Sequence, residues 1–163
     1  MSQELATVSQ FNLEKYLGTW YEIARLPMKH QPEDSTDISA VYSLQDNGKI
    51  RVQNRCLDKD KQVDESIGEA TIVDGENGKL EVTFLPEGLR WVPFTKGDYW
   101  VLKIDADYQT ALVGEPDKKF LWILHRNVTL DENTKREYLA YAESLGYELG
   151  DLIHTVHTGH KTA

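Results

Sequence analysis

Short runs of alternating apolar and polar residues recur along this 163-residue chain, with turn residues between them. A period of two is typical of β-strands that bury one face. Eight runs are predicted to be strands, at 19–26, 38–44, 49–57, 64–73, 79–84, 98–104, 111–114 and 120–126. Asn-Gly pairs at 47–48 and 77–78 lie between consecutive runs and supply the positive φ angles of tight hairpins, so neighbouring strands should pair antiparallel.

One segment near the C-terminus has a helical period instead. A helix is predicted over about 131–145, with Asp131 as its N-cap and Gly146 as its C-terminal stop. A single helix cannot cover both faces of an open sheet, whereas eight short strands can hide their edges by closing on themselves. The pattern therefore predicts an all-β, eight-stranded antiparallel up-and-down barrel with one C-terminal α-helix packed outside. A filled two-sheet sandwich is the alternative.

The alternation also bears on whether the interior is filled. One face of the third strand carries Ile50, Val52, Asn54 and Cys56, and one face of the fourth strand is just as mixed, with small residues along it. A packed core would place larger side chains at such positions. Eight strands also leave an interior wide enough for one small ligand, so an apolar cavity is predicted.

Composition sets the domain count and the class of partner. No linker divides the chain, so we expect an N-terminal arm at 1–10, one barrel domain at 11–157 and a flexible tail at 158–163. Lys and Arg number 18 against 27 Asp and Glu, and the resulting formal charge of −9 disfavours nucleic acid as a partner. No apolar run approaches the roughly 20 residues of a membrane-spanning helix.

The compartment is predicted from the first ten residues and from the cysteine count. Residues 1–10 contain neither a basic start followed by an apolar stretch nor a cysteine that could carry a lipid. The single cysteine, Cys56, cannot form an internal disulfide, which allows a reducing compartment. A cytoplasmic location is therefore expected, with the periplasm or outer membrane as the alternative if a lipoprotein signal has been removed.

Three motifs resemble the signatures of the lipocalin family. Gly18-Thr19-Trp20 enters the first strand, the pair Asp107-Tyr108 lies between the sixth and seventh strands, and Arg126 ends the eighth. The segments 97–102 and 120–124 are most similar to bacterial lipocalins, with plant temperature-induced lipocalins and apolipoprotein D as relatives. The resemblance implies a protein that carries or scavenges a lipophilic small molecule, such as a fatty acid or a lysophospholipid, in membrane maintenance or stress.

The resemblance also implies which residues close the barrel. Trp20 and Arg126 should meet at the closed end, with Gly18, Asp107 and Tyr108 around them. An indole face beneath a guanidinium forms a cation–π contact worth about 0.5–2 kcal/mol. This role is structural.

Strand alternation predicts the residues that face the cavity. If Lys103 and Glu81 point to solvent, their neighbours on the sixth and fifth strands point inward, and the parity of Arg126 does the same for the eighth strand. The predicted ligand-binding residues are Ala40, Tyr42, Val52, Asn54, Val82, Phe84, Trp100, Leu102, Phe120 and Trp122. The alternative is that these side chains simply pack as core. Among the polar residues, Asn54 and Glu22 could orient a ligand head group, or Glu22 could belong to a hydrogen-bond network near the floor.

The segment 85–94 is long for a hairpin loop and rich in apolar residues. Leu89, Trp91, Val92 and Phe94 are predicted to lie at the barrel mouth and to enter a membrane interface or a homodimer contact. The alternative is a loop that folds back as a lid.

No cofactor, metal or catalytic centre is predicted. Cys56 as a cavity nucleophile is disfavoured against a structural thiol, because no histidine is expected beside it. His154, His157 and His160 would alternate faces in an extended segment, which disfavours a metal site. Two further functions are kept as alternatives: a lipid-modifying isomerase or synthase in the same barrel, and an interaction module that uses the 85–94 loop.

Overall fold

The computed structural model describes residues 5–27, 35–58, 60–84 and 96–158, with only the backbone of Phe84 and Lys96. The two helices in this part of the chain are α1 (Leu13–Tyr16) and α2 (Glu132–Ser144). The strands are β1 (Gly18–Arg25), β2 (Thr36–Leu44), β3 (Ile50–Leu57), β4 (Val63–Asp74), β5 (Lys79–Phe84), β6 (Lys96–Ile104), β7 (Thr110–Gly114), β8 (Leu121–His125) and β9 (Ile153–His154). All eight predicted strands are present, with ends shifted by at most two residues.

The strands form a closed barrel. Each strand from β2 to β8 pairs antiparallel with the next, and β1 pairs with β8 on one edge and with β2 on the other. The contact that closes the ring runs from Gly18 opposite Tyr42 to Tyr21 opposite Ser39. The predicted barrel is therefore confirmed, and the sandwich alternative is wrong.

The predicted C-terminal helix is also confirmed and packs outside the barrel. The Asp131 carboxylate accepts the backbone N–H of Thr134 at 3.1 Å, which caps the first turn. Gly146 follows the helix with a φ of +103°, a conformation that favours glycine. No helix among the described residues is long and apolar enough to cross a membrane.

Two apolar clusters lie on opposite sides of the barrel wall. The inner cluster lines the interior and contains Tyr16, Trp20, Ala40, Tyr42, Ile50, Val52, Ala70, Leu80, Val82, Val101, Ala111, Val113 and Leu124. The outer cluster packs α2 against the wall and contains Leu5, Ile23, Ala24, Leu26, Leu102, Leu112, Leu121, Ile123, Leu130, Tyr138, Ala142 and Tyr147. Strands β1, β6, β7 and β8 thus carry apolar residues on both faces.

A bulge in β6 reverses part of the predicted alternation. Val101 opposes Val113 and Lys103 opposes Leu112, so Leu102 is the extra residue of the bulge. Leu102 and Trp100 therefore belong with the outer cluster. Their predicted inward placement is wrong, because alternation counted back from Lys103 fails at the bulge.

The C-terminal segment completes the wall where β1 and β2 separate. Beyond Tyr21, the free edge of β1 pairs with β9 instead of β2. The N–H of Thr155 donates to the Ile23 carbonyl at 3.0 Å, and the N–H of Asp37, in β2, donates to the Val156 carbonyl at 2.8 Å. Residues 153–158, called the C-terminal strap below, thus bridge the two strands.

Candidate functional site

The closed end of the barrel is built around Arg126. Its guanidinium carbon lies 3.8 Å from the centroid of the Trp20 ring. The same group donates hydrogen bonds to the carbonyls of Thr19 (2.9 Å), Lys15 (2.8 Å) and Tyr108 (3.1 Å). The guanidinium therefore joins three separate segments of the chain beneath the indole.

The other predicted floor residues surround this contact. Gly18 has a φ of +107°, and a Cβ there would lie 3.3 Å from Arg126 Nη1, so the glycine lets the guanidinium approach. Tyr108 lies in the turn before β7 with a φ of +55° and presents its carbonyl to Arg126. The Asp107 carbonyl accepts a bond from the Gln109 side chain within the same turn, at 3.0 Å.

Three tyrosine hydroxyls form a chain across the interior. The hydroxyls of Tyr16 and Tyr99 are 2.5 Å apart, and Tyr99 donates to Tyr42 at 2.8 Å. Burial raises the pKa of Tyr42 to about 12 and raises the pKa of Tyr16 and Tyr99 as well. All three hydroxyls therefore stay neutral at physiological pH.

A pocket adjoins these tyrosine rings at the closed end. The deep pocket, as we call it, is lined by Leu13, Tyr16, Tyr42, Ile50, Ala70, Leu80, Val82 and Tyr99. It spans about 250 Å³ including the solvent to which it opens, and its accessible surface is entirely apolar. Within it there is room for about one water molecule. The floor of the barrel is thus apolar and tight.

The interior is less tightly packed nearer the open end. A Cβ placed on Gly97, which lies opposite Val82 in β5, would meet no heavy atom of the described residues within 4 Å. Asn54 lies opposite Ala40 on one neighbouring strand and opposite Ser66 on the other, and it is half-buried. Small side chains and open space therefore lie above the tyrosines.

The predicted ligand-binding residues divide between the two faces of the wall. Tyr42, Ala40, Val52 and Val82 are buried in the inner cluster, and Trp122 is half-buried against it. Trp100 and Leu102 lie on the outer face, where the Lys79 ammonium sits 4.4 Å above the Trp100 ring.

Two aromatic positions lie near the barrel mouth. Phe120 precedes β8, stacks on Trp122 at 6.2 Å between ring centroids and is 36% exposed. Phe84 is opposite Gly68 in the sheet, but its side chain lies outside the described part of the structure.

A buried ion pair lies on the inner face of β1. Arg25 Nη1 is 2.9 Å from Glu22 Oε2, with side chains 0% and 5% exposed. Glu22 is opposite Leu124 and Arg25 is opposite Trp122 in β8. Burial raises the pKa of Glu22, and the charge of Arg25 opposes this rise. Glu22 therefore belongs to an internal hydrogen-bond network, as one of its two interpretations predicted.

The C-terminal strap is anchored on two buried carboxylates. The Thr155 hydroxyl donates to Glu22 Oε2 at 2.5 Å, and the His157 ring bonds the Glu22 carbonyl at 2.7 Å. Farther along, the backbone and hydroxyl of Thr158 donate to Asp37 at 2.8 and 2.7 Å. The network at Glu22 therefore joins the barrel interior to the strap.

Sequence reasoning missed three residues of this site. Arg25 could not be placed inward because β1 also contains a bulge, between Glu22 and Ala24. Tyr99 has the parity opposite to Trp100, and Tyr16 lies on α1 outside the strands. For Tyr16 and Tyr99 the available signal was the predicted inward position of Tyr42, since a buried hydroxyl needs a partner.

Several other predictions meet the structure only in part. The loop residues Leu89, Trp91, Val92 and Phe94, and also His160, lie outside the described residues. Within residues 5–27, 35–58, 60–84 and 96–158, no group of three or more side chains could hold a metal ion. Cys56 is buried.

Comparison with known proteins gives matches over nearly the whole chain. The sequence profile of the Lipocalin-like domain family matches residues 11–157. Temperature-induced lipocalin-1 of Arabidopsis thaliana is 39% identical over 156 residues, which cover 94% of this chain and 83% of the plant protein. Outer membrane lipoprotein Blc of Citrobacter freundii is 38% identical over 152 residues, which cover 91% of this chain and 81% of the bacterial protein. Among solved structures, insecticyanin from the tobacco hornworm Manduca sexta matches with a TM-score of 0.73 and 23% identity, over 95% of this chain and 85% of that one.

Proposed function

Because the chain belongs to the lipocalin family, whose members generally bind small hydrophobic molecules, we propose that its barrel binds an amphiphile with a single apolar chain. The alkyl chain of the ligand enters first, through the open end of the barrel, and its terminal carbons reach the deep pocket. Fatty acids and lysophospholipids are the ligand classes of this shape. The role is binding, as a carrier or scavenger, without turnover of the ligand.

The observation that carries this proposal is the apolar lining of the deep pocket at the closed end. A polar head group placed there would lose its hydrogen bonds to water without replacing them, which costs several kcal/mol. An alkyl chain instead gains about 25 cal/mol for each Å² that it removes from water. The lining therefore favours entry with the alkyl chain first, which leaves the head group above the deep pocket, on the side of the mouth.

The small free volume determines how binding must proceed. Space for about one water molecule cannot hold several methylene groups, so the chain must displace side chains of the deep pocket. Leu13 lies in α1, outside the barrel strands, so its side chain can move without breaking a hydrogen bond of the sheet. We propose that the Leu13 side chain moves when the alkyl chain is bound.

Tryptophan fluorescence tests the function directly, with hexadecanoate and 1-hexadecanoyl-lysophosphatidylcholine as probes. Trp122 lies beside the proposed path, so both probes should change the emission of the wild type in a saturable way, and Trp122→Phe should remove most of that change. Absence of saturable binding by either probe, checked by equilibrium dialysis, would contradict the proposed function.

A pair of variants tests whether the chain reaches the deep pocket. Ala70 lines the pocket, whereas its neighbour Thr71 is exposed on the outer face. Ala70→Leu should weaken hexadecanoate binding by about tenfold or more, because the added methyl groups occupy the space of the chain end. Thr71→Leu adds similar bulk outside the barrel and should leave the affinity unchanged. Equal affinities of the two variants would show that the chain stops short of the floor.

The cellular location of the proposed binding can be compared with that of a relative. The similar Citrobacter protein is named an outer membrane lipoprotein. We propose that this chain also works beside a membrane, where single-chain amphiphiles are released. Fractionation of the native cells, with detection of the protein in membrane and soluble fractions, tests this placement.

A further inference from the structure

We propose that Glu22 Oε1 is a recognition point for a hydrogen-bond donor on the ligand, so that the barrel prefers amphiphiles with a hydroxyl or ammonium group over simple carboxylates. This inference rests on the proposed function and names the chemistry of the ligand that the same barrel selects.

The first observation is the direction of the Glu22 side chain. In β1, Trp20 belongs to the inner cluster, and Glu22 has the same parity. Glu22 also lies opposite Leu124, which is another inner residue. The carboxylate is therefore on the interior face of the wall. Along the barrel it lies between Trp20 at the floor and Trp122, which is opposite Arg25.

The second observation is the unequal use of the two carboxylate oxygens. Oε2 accepts hydrogen bonds from Arg25 at 2.9 Å and from Thr155 at 2.5 Å. No described residue donates a hydrogen bond to Oε1, although Glu22 as a whole is only 4% exposed. Oε1 has no partner among the described residues but is not fully buried either, so it is an acceptor open to a donor from the barrel interior.

The third observation is the cost of placing this ion pair here. Burying two charges costs several kcal/mol of desolvation, and an apolar pair of the same volume often gives equal or greater stability. Arg25 and Thr155 use only Oε2, so the anchoring of the C-terminal strap leaves Oε1 without a structural role. A ligand that donates to Oε1 gives this oxygen a function.

The charges around Glu22 determine which ligands it accepts. Arg25 faces it from β1, His157 contacts its backbone from the C-terminal strap, and Tyr42 interacts with it from β2 across the interior. A hydroxyl or an ammonium donates to the ionised carboxylate. A ligand carboxylate offers only acceptors and adds a like charge, which is unfavourable at short range.

Matched twelve-carbon probes test the inference: dodecanol, dodecylamine and dodecanoate, each below its micelle-forming concentration at pH 8. The wild type should bind dodecanol and dodecylamine about tenfold more tightly than dodecanoate, the value of one hydrogen bond to a charged group. In Glu22→Gln the amide can donate to dodecanoate, so this ratio should fall to near one. Glu143→Gln makes the same change at an exposed carboxylate on α2, outside the barrel, so it should keep the wild-type ratio.

A second measurement covers the case in which Glu22→Gln does not fold. In wild-type protein with ¹³C-labelled glutamate, the Glu22 carboxyl resonance should shift when dodecanol is added and stay in place when dodecane is added. An unchanged resonance with dodecanol, or an equal affinity of the wild type for dodecanol and dodecanoate, overturns the inference. If none of the probes binds the wild type at all, the proposed function fails instead.

Discussion

The guanidinium carbon of Arg126 lies over the Trp20 ring, 3.8 Å from its centroid, and the group donates hydrogen bonds to three backbone carbonyls. These carbonyls come from Lys15 at the edge of α1, from Thr19 in β1 and from Tyr108 in the turn before β7. Since α1 supplies Leu13 and Tyr16 to the deep pocket, the same contact fixes the floor of the proposed ligand site.

Replacing Arg126 should loosen the closed end. Arg126→Ala loses the cation–π contact and three charge-assisted hydrogen bonds, so the free energy of unfolding should fall by about 2–4 kcal/mol. Arg126→Lys keeps the charge but cannot reach three carbonyls from one plane, so it should lose part of that amount. Urea unfolding followed by far-UV circular dichroism measures both values. A loss below about 0.5 kcal/mol for the alanine variant would contradict this account of the floor.

Two glycines should respond in opposite ways to an added methyl group. A Cβ on Gly114 would lie 2.2 Å from the Tyr147 hydroxyl, whose two bonds to the Glu115 backbone hold it in the outer cluster. Gly114→Ala should therefore cost about 1–3 kcal/mol. Gly97→Ala meets no heavy atom of the described residues within 4 Å and should stabilise by about 0.5 kcal/mol through the unfolded chain. Thermal unfolding of the two variants provides the comparison, and a tolerated Gly114→Ala would show that Tyr147 can move freely.

The tyrosine chain predicts an order of effects. Tyr99 bonds both Tyr16 and Tyr42, so Tyr99→Phe breaks two hydrogen bonds and should cost about 2 kcal/mol. Tyr16→Phe breaks one of them and should cost about 1 kcal/mol. Both changes keep the ring packing, so the difference reports the hydroxyls alone. Urea unfolding midpoints at pH 7 measure the two losses of stability. Equal losses would mean that Tyr99 does not bond both of the other hydroxyls.

Glu22 should make stability depend on pH in a defined direction. Burial raises its folded-state pKa above the ordinary 4.5, so the folded protein holds this proton more tightly than the unfolded chain does. The contribution of Glu22 is therefore most favourable below pH 4.5 and is lost as the pH rises through its raised pKa. Glu22→Gln does not titrate, so the free energy of unfolding of the wild type minus that of the variant should decrease between pH 4.5 and 8. A constant or rising difference would show that Arg25 and Thr155 outweigh burial.

The fold could be predicted from the sequence because each strand begins and ends where the alternating pattern changes or where a turn residue lies. Alternation placed Tyr42, Val52 and Val82 correctly on the inner face, since the opposite face of β2, β3 and β5 is polar. In β6 the same rule failed for Trp100 and Leu102. Both faces of this strand are apolar because α2 covers the outer one, so the pattern alone contains no sign of the bulge.

The polar part of the candidate site was harder to predict for a related reason. The inward position of Arg25 depends on the bulge in β1, and the partners of Glu22 come from the distant strap. A pattern of local residues shows neither a bulge between apolar residues nor a contact between chain segments 133 residues apart. The bulge in β1 and the contact from the C-terminal strap to Glu22 can be recognised only in the folded barrel.

The C-terminal strap links the order of synthesis to the order of folding. The C-terminal strap, which bridges β1 and β2 where they separate, follows all eight barrel strands in the sequence. Its residue Thr155 bonds Glu22, 133 positions earlier. On the ribosome, the first strand therefore waits for nearly the whole polypeptide before its free edge is covered. Until then the nascent polypeptide exposes the unpaired edge of β1 to other polypeptides. The yield of folded protein in cells should therefore depend on chaperones that shield this edge during translation.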